Sequence, residues 1–257
     1  MGLRVTAADP AGNVTLLVES PVPPSEYRTI ASRLLALPEL RGEQVGFLTA
    51  PRMGGEVRLE MMGGEFCGNA ARCAGLWQAR KRGRDGAVAV EMSGCSHPLT
   101  VETGGGEAWA GMPLPRFAEE IRLGGADFTA VCFEGIVHLV GECPPLPPET
   151  IARLLPEAAE RFHLPAAGVM FLHGGLMRPA VYVRDTDTLV WERSCASGST
   201  AVAWREARSA PDGLRRLDLK QPGGIIRTET VREGGQVRSI RIGGPVTLGS
   251  VQSLSIE

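Results

Sequence analysis

The sequence predicts an α+β protein built of two similar domains. Three observations predict it. The first is a repeated cysteine block, Glu65-Phe66-Cys67-Gly68-Asn69-Ala70-Ala71-Arg72 in one half and Glu192-Arg193-Ser194-Cys195-Ala196-Ser197-Gly198-Ser199-Thr200 in the other. At the same offset, Ala79-Arg80 meets Ala207-Arg208. The second is an upstream block. Gly12-Asn13-Val14-Thr15-Leu16-Leu17-Val18-Glu19 resembles Gly135-Ile136-Val137-His138-Leu139-Val140-Gly141-Glu142, and both run into prolines. A repeat this long is too large for a solenoid unit and matches a normal domain size. The third is the element pattern, many short strands with one long and one short helix per half. The expected domains are residues 1–117, carrying Cys67, and 118–257, carrying Cys195, with the last strand crossing back to the first domain.

The elements follow in order. Residues 5–8 and 14–19 read as strands around the Pro10-Ala11-Gly12-Asn13 turn. Residues 25–37 read as a helix, capped by Ser25, with Ile30, Leu34 and Leu35 on one face. Strands are expected at 44–48 and 56–61, and Gly63-Gly64 breaks the chain before Cys67. Ala70, Cys73, Ala74 and Trp77 recur at helical spacing over 69–80. Strands at 87–92, 99–102 and 107–112 complete the first half, and 113–125 reads as the junction. The second half repeats the order, with strands at 129–133 and 137–140 and a helix over about 149–162. Strands at 169–172 and 180–184 then lead to Cys195 and a helix at 200–208.

Composition excludes several function classes. The 257 residues are 43% hydrophobic and 22% charged, with a net charge of −2. That balance offers no electrostatic attraction to nucleic acid or an anionic membrane. No apolar run approaches the ~20 residues that span a bilayer. The N-terminus Met1-Gly2-Leu3-Arg4-Val5-Thr6 lacks a signal-peptide core, so a cytoplasmic location is expected. The six cysteines are expected to be reduced. They contain no Cys-x2-Cys pair, and Cys95-Ser96-His97 has no matching second pair, so no metal site is expected.

Cys67 and Cys195 are the candidate catalytic residues. The thiolate is the reactive form of cysteine, and its pKa falls at a helix N-terminus. The backbone N–H groups there, at Gly68, Asn69, Ala196 and Ser197, suit a carboxylate. Two such termini would grip the α-carboxylate of an amino acid and stabilise the charge left after Cα–H removal. One thiolate would act as base and the opposite thiol as acid. This scheme needs no pyridoxal phosphate, metal or nucleotide. Cys73 falls on the helix after Cys67 and reads as core. Cys95, Cys132 and Cys143 read as small buried hydrophobes.

Cys67-Gly68-Asn69-Ala70-Ala71-Arg72-Cys73 resembles the Cys-Gly-Asn-Gly-Ala-Arg-Cys of the diaminopimelate epimerase-like superfamily, cofactor-independent amino-acid racemases and epimerases. The resemblance covers nearly the whole chain. Asn13 falls at that family's Gly-Asn-Asp turn, and Gln44 also finds a counterpart, which implies that both bind substrate. The block at Cys195 is similar to the Asp-Arg-Ser-Pro-Cys-Gly-Thr-Gly of proline racemases. The resemblance implies two pseudo-symmetric domains, each a mixed sheet wrapped around a central helix. It also implies an active site in the cleft between them, Cys67 and Cys195 as the two bases, and a homodimer. Glu192 joins the expected substrate-binding residues, and His138 and Glu192 would lie near the cysteines and tune or orient them. His138 could equally be a core histidine of a strand, and Glu192 a surface partner of Arg193.

The departures concern substrate. Gly135-Ile136-Val137-His138 stands where diaminopimelate epimerases have Gly-Asn-Pro-His, and Met61-Met62-Gly63-Gly64 replaces Asn-x-Asp-Gly. Ile136 and Val137 would leave a distal carboxylate desolvated. The Glu-Phe-Cys-Gly-Asn-Ala run is similar to that of the histidine racemases of opine-metallophore synthesis, so histidine is the expected substrate. Diaminopimelate is the alternative within the class, and a non-catalytic amino-acid-binding protein the alternative outside it.

Overall fold

The computed structural model describes residues 2–256. The chain divides into two compact units. One holds the chain up to Gly111 together with the segment from Gly243 onward, and the other is Met112–Ile242. Its elements in chain order begin with β1 (Gly2–Asp9), β2 (Thr15–Val18), α1 (Tyr27–Leu35), β3 (Gln44–Thr49) and β4 (Val57–Met61). Next come α2 (Gly68–Arg82), β5 (Gly86–Met92), β6 (Leu99–Gly104) and β7 (Glu107–Met112). The second unit continues with β8 (Phe117–Leu123), β9 (Ala126–Cys132), β10 (Ile136–Gly141), α3 (Pro148–Arg161), β11 (Ala166–His173) and β12 (Leu176–Val183). It closes with β13 (Thr188–Trp191), α4 (Ala196–Ala207), β14 (Gly213–Gln221), β15 (Gly224–Glu233) and β16 (Gln236–Gly243). Finally, β17 (Thr247–Leu248) and β18 (Gln252–Ser255) pair with β1.

The first unit is a mixed sheet in the order β7-β6-β5-β4-β3-β2-β1-β17. β2 runs parallel to β3 and β4 parallel to β5, and the neighbouring pairs are antiparallel. α1 covers one face with Tyr27, Ile30, Ala31 and Leu34, packed on Val5, Leu16, Val45 and Phe47. The Tyr27 ring stacks on Phe47 with centroids 3.8 Å apart. α2 packs on β2, β4, β5 and β6. Its small residues Ala70, Ala71, Cys73, Ala74 and Ala79 are buried all round, as expected of a helix without a polar face. Gly75 permits the approach, since a Cβ there would lie 2.5 Å from Val101 Cγ1.

The second unit repeats the plan. Its six-stranded sheet has the order β13-β12-β11-β10-β9-β8, with β10 parallel to β11. The crossover helix α3 buries Ile151, Leu154, Leu155 and Ala158 on one face, against Val137, Leu139, Val169 and Phe171. On the other face Val131, Val140 and Met170 pack with Ala201 and Val202 of α4. β14, β15 and β16 form a second group of strands, and α4 also packs on β15. Each unit therefore contains an antiparallel pair, a crossover helix, a parallel strand and a cysteine-headed buried helix. This is the α+β, two-fold repeated architecture the sequence predicts.

Three local expectations are corrected. α1 begins at Tyr27 rather than 25, and Ser25 makes no capping hydrogen bond. Pro24 instead opens a 3-10 turn, because its fixed φ and missing N–H suit a first helical position. Helix α4 starts at Ala196, four residues before the expected 200, because the Cys195 sulfur caps it. Residues 117–123, within the expected junction, form strand β8, whose alternating exposure hid it from a search for buried runs.

Candidate active site

In the first unit Cys67 is the N-cap of α2, and its sulfur accepts from the Ala70 N–H at 3.5 Å. The loop before it is braced by Ser93. That hydroxyl accepts from the Met61 N–H (2.9 Å) and donates to the Glu65 carbonyl (2.8 Å). Gly94, at φ 72°, lies against the same loop, and a Cβ there would sit 2.7 Å from the Phe66 nitrogen.

Asn13, Gln44 and Asn69, expected at the site from the sequence, come together here. Gln44 Nε2 donates to Asn13 Oδ1 (2.9 Å) and Thr15 Oγ1 (2.8 Å), and Asn69 Nδ2 donates to Asn13 Oδ1 (3.2 Å). Asn13 Nδ2 in turn donates to Glu43 Oε2 at 3.3 Å. The turn before Asn13 is strained, with Ala11 at φ 97° and Gly12 at φ 88°. The Asp9 carboxylate holds it by accepting both N–H groups.

Arg72, fully buried, ties this cluster to the frame. It donates to the carbonyls of Pro10, Ala108, Gly244 and Pro245 and to Asn69 Oδ1. Burial pulls its pKa down to about 10. Burial also pushes the Cys73 thiol up to about 12, so Cys73 is core, as its helical position predicts. Gly68 occupies the first turn of α2.

In the second unit Cys195 caps α4, with its sulfur accepting from the Gly198 N–H at 3.3 Å. A closed ring fixes this cap. The Cys195 N–H donates to Gln221 Oε1 (2.7 Å), Gln221 Nε2 donates to Ser199 Oγ (3.0 Å), and Ser199 Oγ donates to the Cys195 carbonyl (2.7 Å). Ser197 Oγ lies 3.7 Å from Cys195 Sγ and 2.9 Å from His138 Nε2. His138 has the space it occupies because Gly168 faces it, and a Cβ there would be 2.5 Å from Nδ1. His138 is a wholly buried histidine of strand β10, and Ser197 Oγ joins it to the Cys195 sulfur.

Half-buried Glu192 hydrogen-bonds Cys195. Burial raises the Cys195 pKa well above its ordinary value. The charge and hydrogen bond of Glu192 raise it further, against the Gly198 N–H and Ser197. Glu192 and Arg193 line a cavity of about 380 Å³ with Arg178 and Trp191. Ala196 and Ser197 form the first turn of α4.

Glu43, Arg72, Gln221 and Gly168 were absent from the sequence reading of the site. Glu43 adjoins Gln44 and could have been noticed. Arg72 stands in the motif that carries the family resemblance, but its carbonyl partners lie far away in sequence, and Gln221 and Gly168 leave no local signal.

Chemically, each unit offers a sulfur at the positive end of a buried helix with first-turn N–H groups beside it. Such an end attracts an anion and lowers the cost of a thiolate. Residues 3–252 match the family model described as the histidine racemase CntK N-terminal domain. A histidine racemase of Fusobacterium nucleatum subsp. nucleatum is 30% identical, over 91% of this chain and 93% of that protein. A histidine racemase of Staphylococcus aureus is 27% identical, over 97% and 96%. In fold, a Bacillus anthracis phenazine biosynthesis protein of the PhzF family superposes with a TM-score of 0.72 over the full length of both chains, at 12% identity. The chain belongs to the histidine racemase family, whose members are isomerases.

Proposed function

We propose that this protein interconverts L- and D-histidine without an added cofactor, with Cys67 and Cys195 acting on opposite faces of one α-carbon. The observation that carries the reading is the matched placement of two cysteines as helix N-caps in a member of this family. The first-turn N–H groups of Gly68, Asn69, Ala196 and Ser197 hold the substrate α-carboxylate. The Cys67 thiolate takes the Cα proton and becomes a thiol. The electron pair left on Cα spreads into the carboxylate, where the helix ends stabilise it. The Cys195 thiol then delivers its proton to the other face and is left as thiolate. Glu192 and burial favour the protonated form of Cys195, which suits the donor role in this direction. The reverse turnover exchanges the roles. In the same reading Asn13 and Gln44 shape the substrate pocket, and the chain works as a cytoplasmic homodimer.

Incubating reduced protein in D2O with L-histidine, LL-diaminopimelate, L-proline and other L-amino acids, and following the α-proton by NMR, tests the proposal. Exchange is expected with histidine above the others. Preferred exchange of diaminopimelate would replace the substrate, and binding of histidine without any exchange would replace the enzyme by a binding protein. Sedimentation at monomer mass would contradict the dimer.

A further inference from the structure

We propose that the cavity of about 380 Å³ beside Cys195 holds the substrate's side chain, and that Trp191 is the wall that selects an uncharged aromatic ring there. This rests on the histidine-racemising reading above. The cavity begins one side chain away from the sulfur, because Glu192 hydrogen-bonds Cys195 and also lines the cavity. In histidine a single methylene separates the ring from Cα. A Cα held for reaction at the Cys195 sulfur therefore has its ring within short reach of this cavity.

The walls suit such a ring. Trp191 is 41% exposed, and its ring stacks on the buried Phe171 with centroids 6.2 Å apart. The indole is thus held from one side and lines the cavity with the rest, where Pro179 and Pro222 add apolar surface. Main-chain bonds fix this frame. Trp191 pairs with Ala180 across β12 and β13, the Glu192 N–H donates to the Pro179 carbonyl (3.0 Å), and the Gly223 N–H donates to the Arg193 carbonyl (2.7 Å). An indole face held in this way favours a second aromatic ring stacked on it. Arg178 and Arg193 outnumber Glu192 in the cavity, so a cationic side chain meets net repulsion. A carboxylate side chain is repelled by Glu192, the group that joins the cavity to the sulfur.

The test follows L-histidine exchange at about pH 8, where the imidazole is uncharged, in wild type, Trp191→Leu, Trp191→Phe and Arg178→Gln. Trp191→Leu should raise KM about 3- to 10-fold, the worth of an aromatic pair, and keep kcat, while Trp191→Phe should stay near wild type. L-Ornithine, added as a cationic competitor, should inhibit Arg178→Gln about tenfold more tightly than wild type. A purely structural role for Trp191 would lower kcat and leave KM unchanged. That outcome overturns the inference while the racemase reading stands. So does ornithine inhibition equal in wild type and Arg178→Gln, or L-glutamate inhibiting wild type more tightly than histidine binds. If Trp191→Leu melts early, fluorescence carries the comparison. The emission that wild type has in excess of Trp191→Phe should be quenched by histidine, and an unquenched difference overturns the inference. Failure of wild type to exchange histidine at all would remove the racemase reading and this inference with it.

Discussion

Ser197 stands between a sulfur and an imidazole, and its hydrogen can serve only one of them. Burial pushes the His138 pKa down to about 3, so the ring is neutral at any working pH. Nδ1 is buried without a partner. An orphaned lone pair costs less than an orphaned N–H, so the hydrogen belongs on Nε2, donated to Ser197 Oγ. The Ser197 hydroxyl is then turned toward Cys195 Sγ, where it favours the thiolate and offsets part of what Glu192 and burial do. Ser197→Ala should lower kcat by about tenfold, the net worth of one hydrogen bond. It should also move the alkaline limb of the pH–rate profile upward. An unchanged profile would show that the hydroxyl does not face the sulfur. The motif around Cys195 made Ser197 legible through its backbone. The role of its side chain was not, because it depends on a histidine 59 positions away.

The two cysteine-headed helices were legible because helix-capping chemistry and runs of small residues are local. Strand β8 was not, since its exposed alternation belongs to a sheet that forms only with β9. Nor was the start of α1, where Pro24 prevails over Ser25. The loop that delivers Cys67 to its helix depends on contact across elements. Gly94 needs a positive φ, and a Cβ there would press on the Phe66 backbone rather than on a side chain that could move aside. Gly94→Ala should therefore cost about 1–3 kcal/mol, read as a lower urea midpoint, and should impair turnover by shifting residues 65–67. A variant as stable and active as wild type would show that the loop adapts.

On the scale of the molecule, two buried groups hold fewer protons folded than unfolded. His138 falls from an ordinary 6.5 to about 3. Burial acts to raise the Glu91 pKa, but the N–H groups of Arg52, Gly55 and Met53 together with Arg58 outweigh it and bring the value to about 2. In both cases the unfolded chain takes up the proton first, so stability rises with pH across the window. The His138 contribution is fully present above about pH 6.5 and is lost as pH falls, by about 1.4 kcal/mol per pH unit, and Glu91 adds to the loss at lower pH. Urea midpoints at pH 7, 5 and 4 should fall in that order, and a flat series would contradict the burial of His138.

The repeat of the two halves was legible from a pair of short blocks, and the family confirms the racemase class. The central claim is that two different thiols handle the proton. L-Histidine turned over in D2O and stopped at the first few per cent of conversion tests it most directly. If Cys67 removes the proton and Cys195 delivers one from solvent, the D-histidine formed carries deuterium at Cα while the remaining L-histidine keeps protium. Deuterium appearing equally in both pools, or activity surviving in Cys67→Ser or Cys195→Ser, would contradict the account.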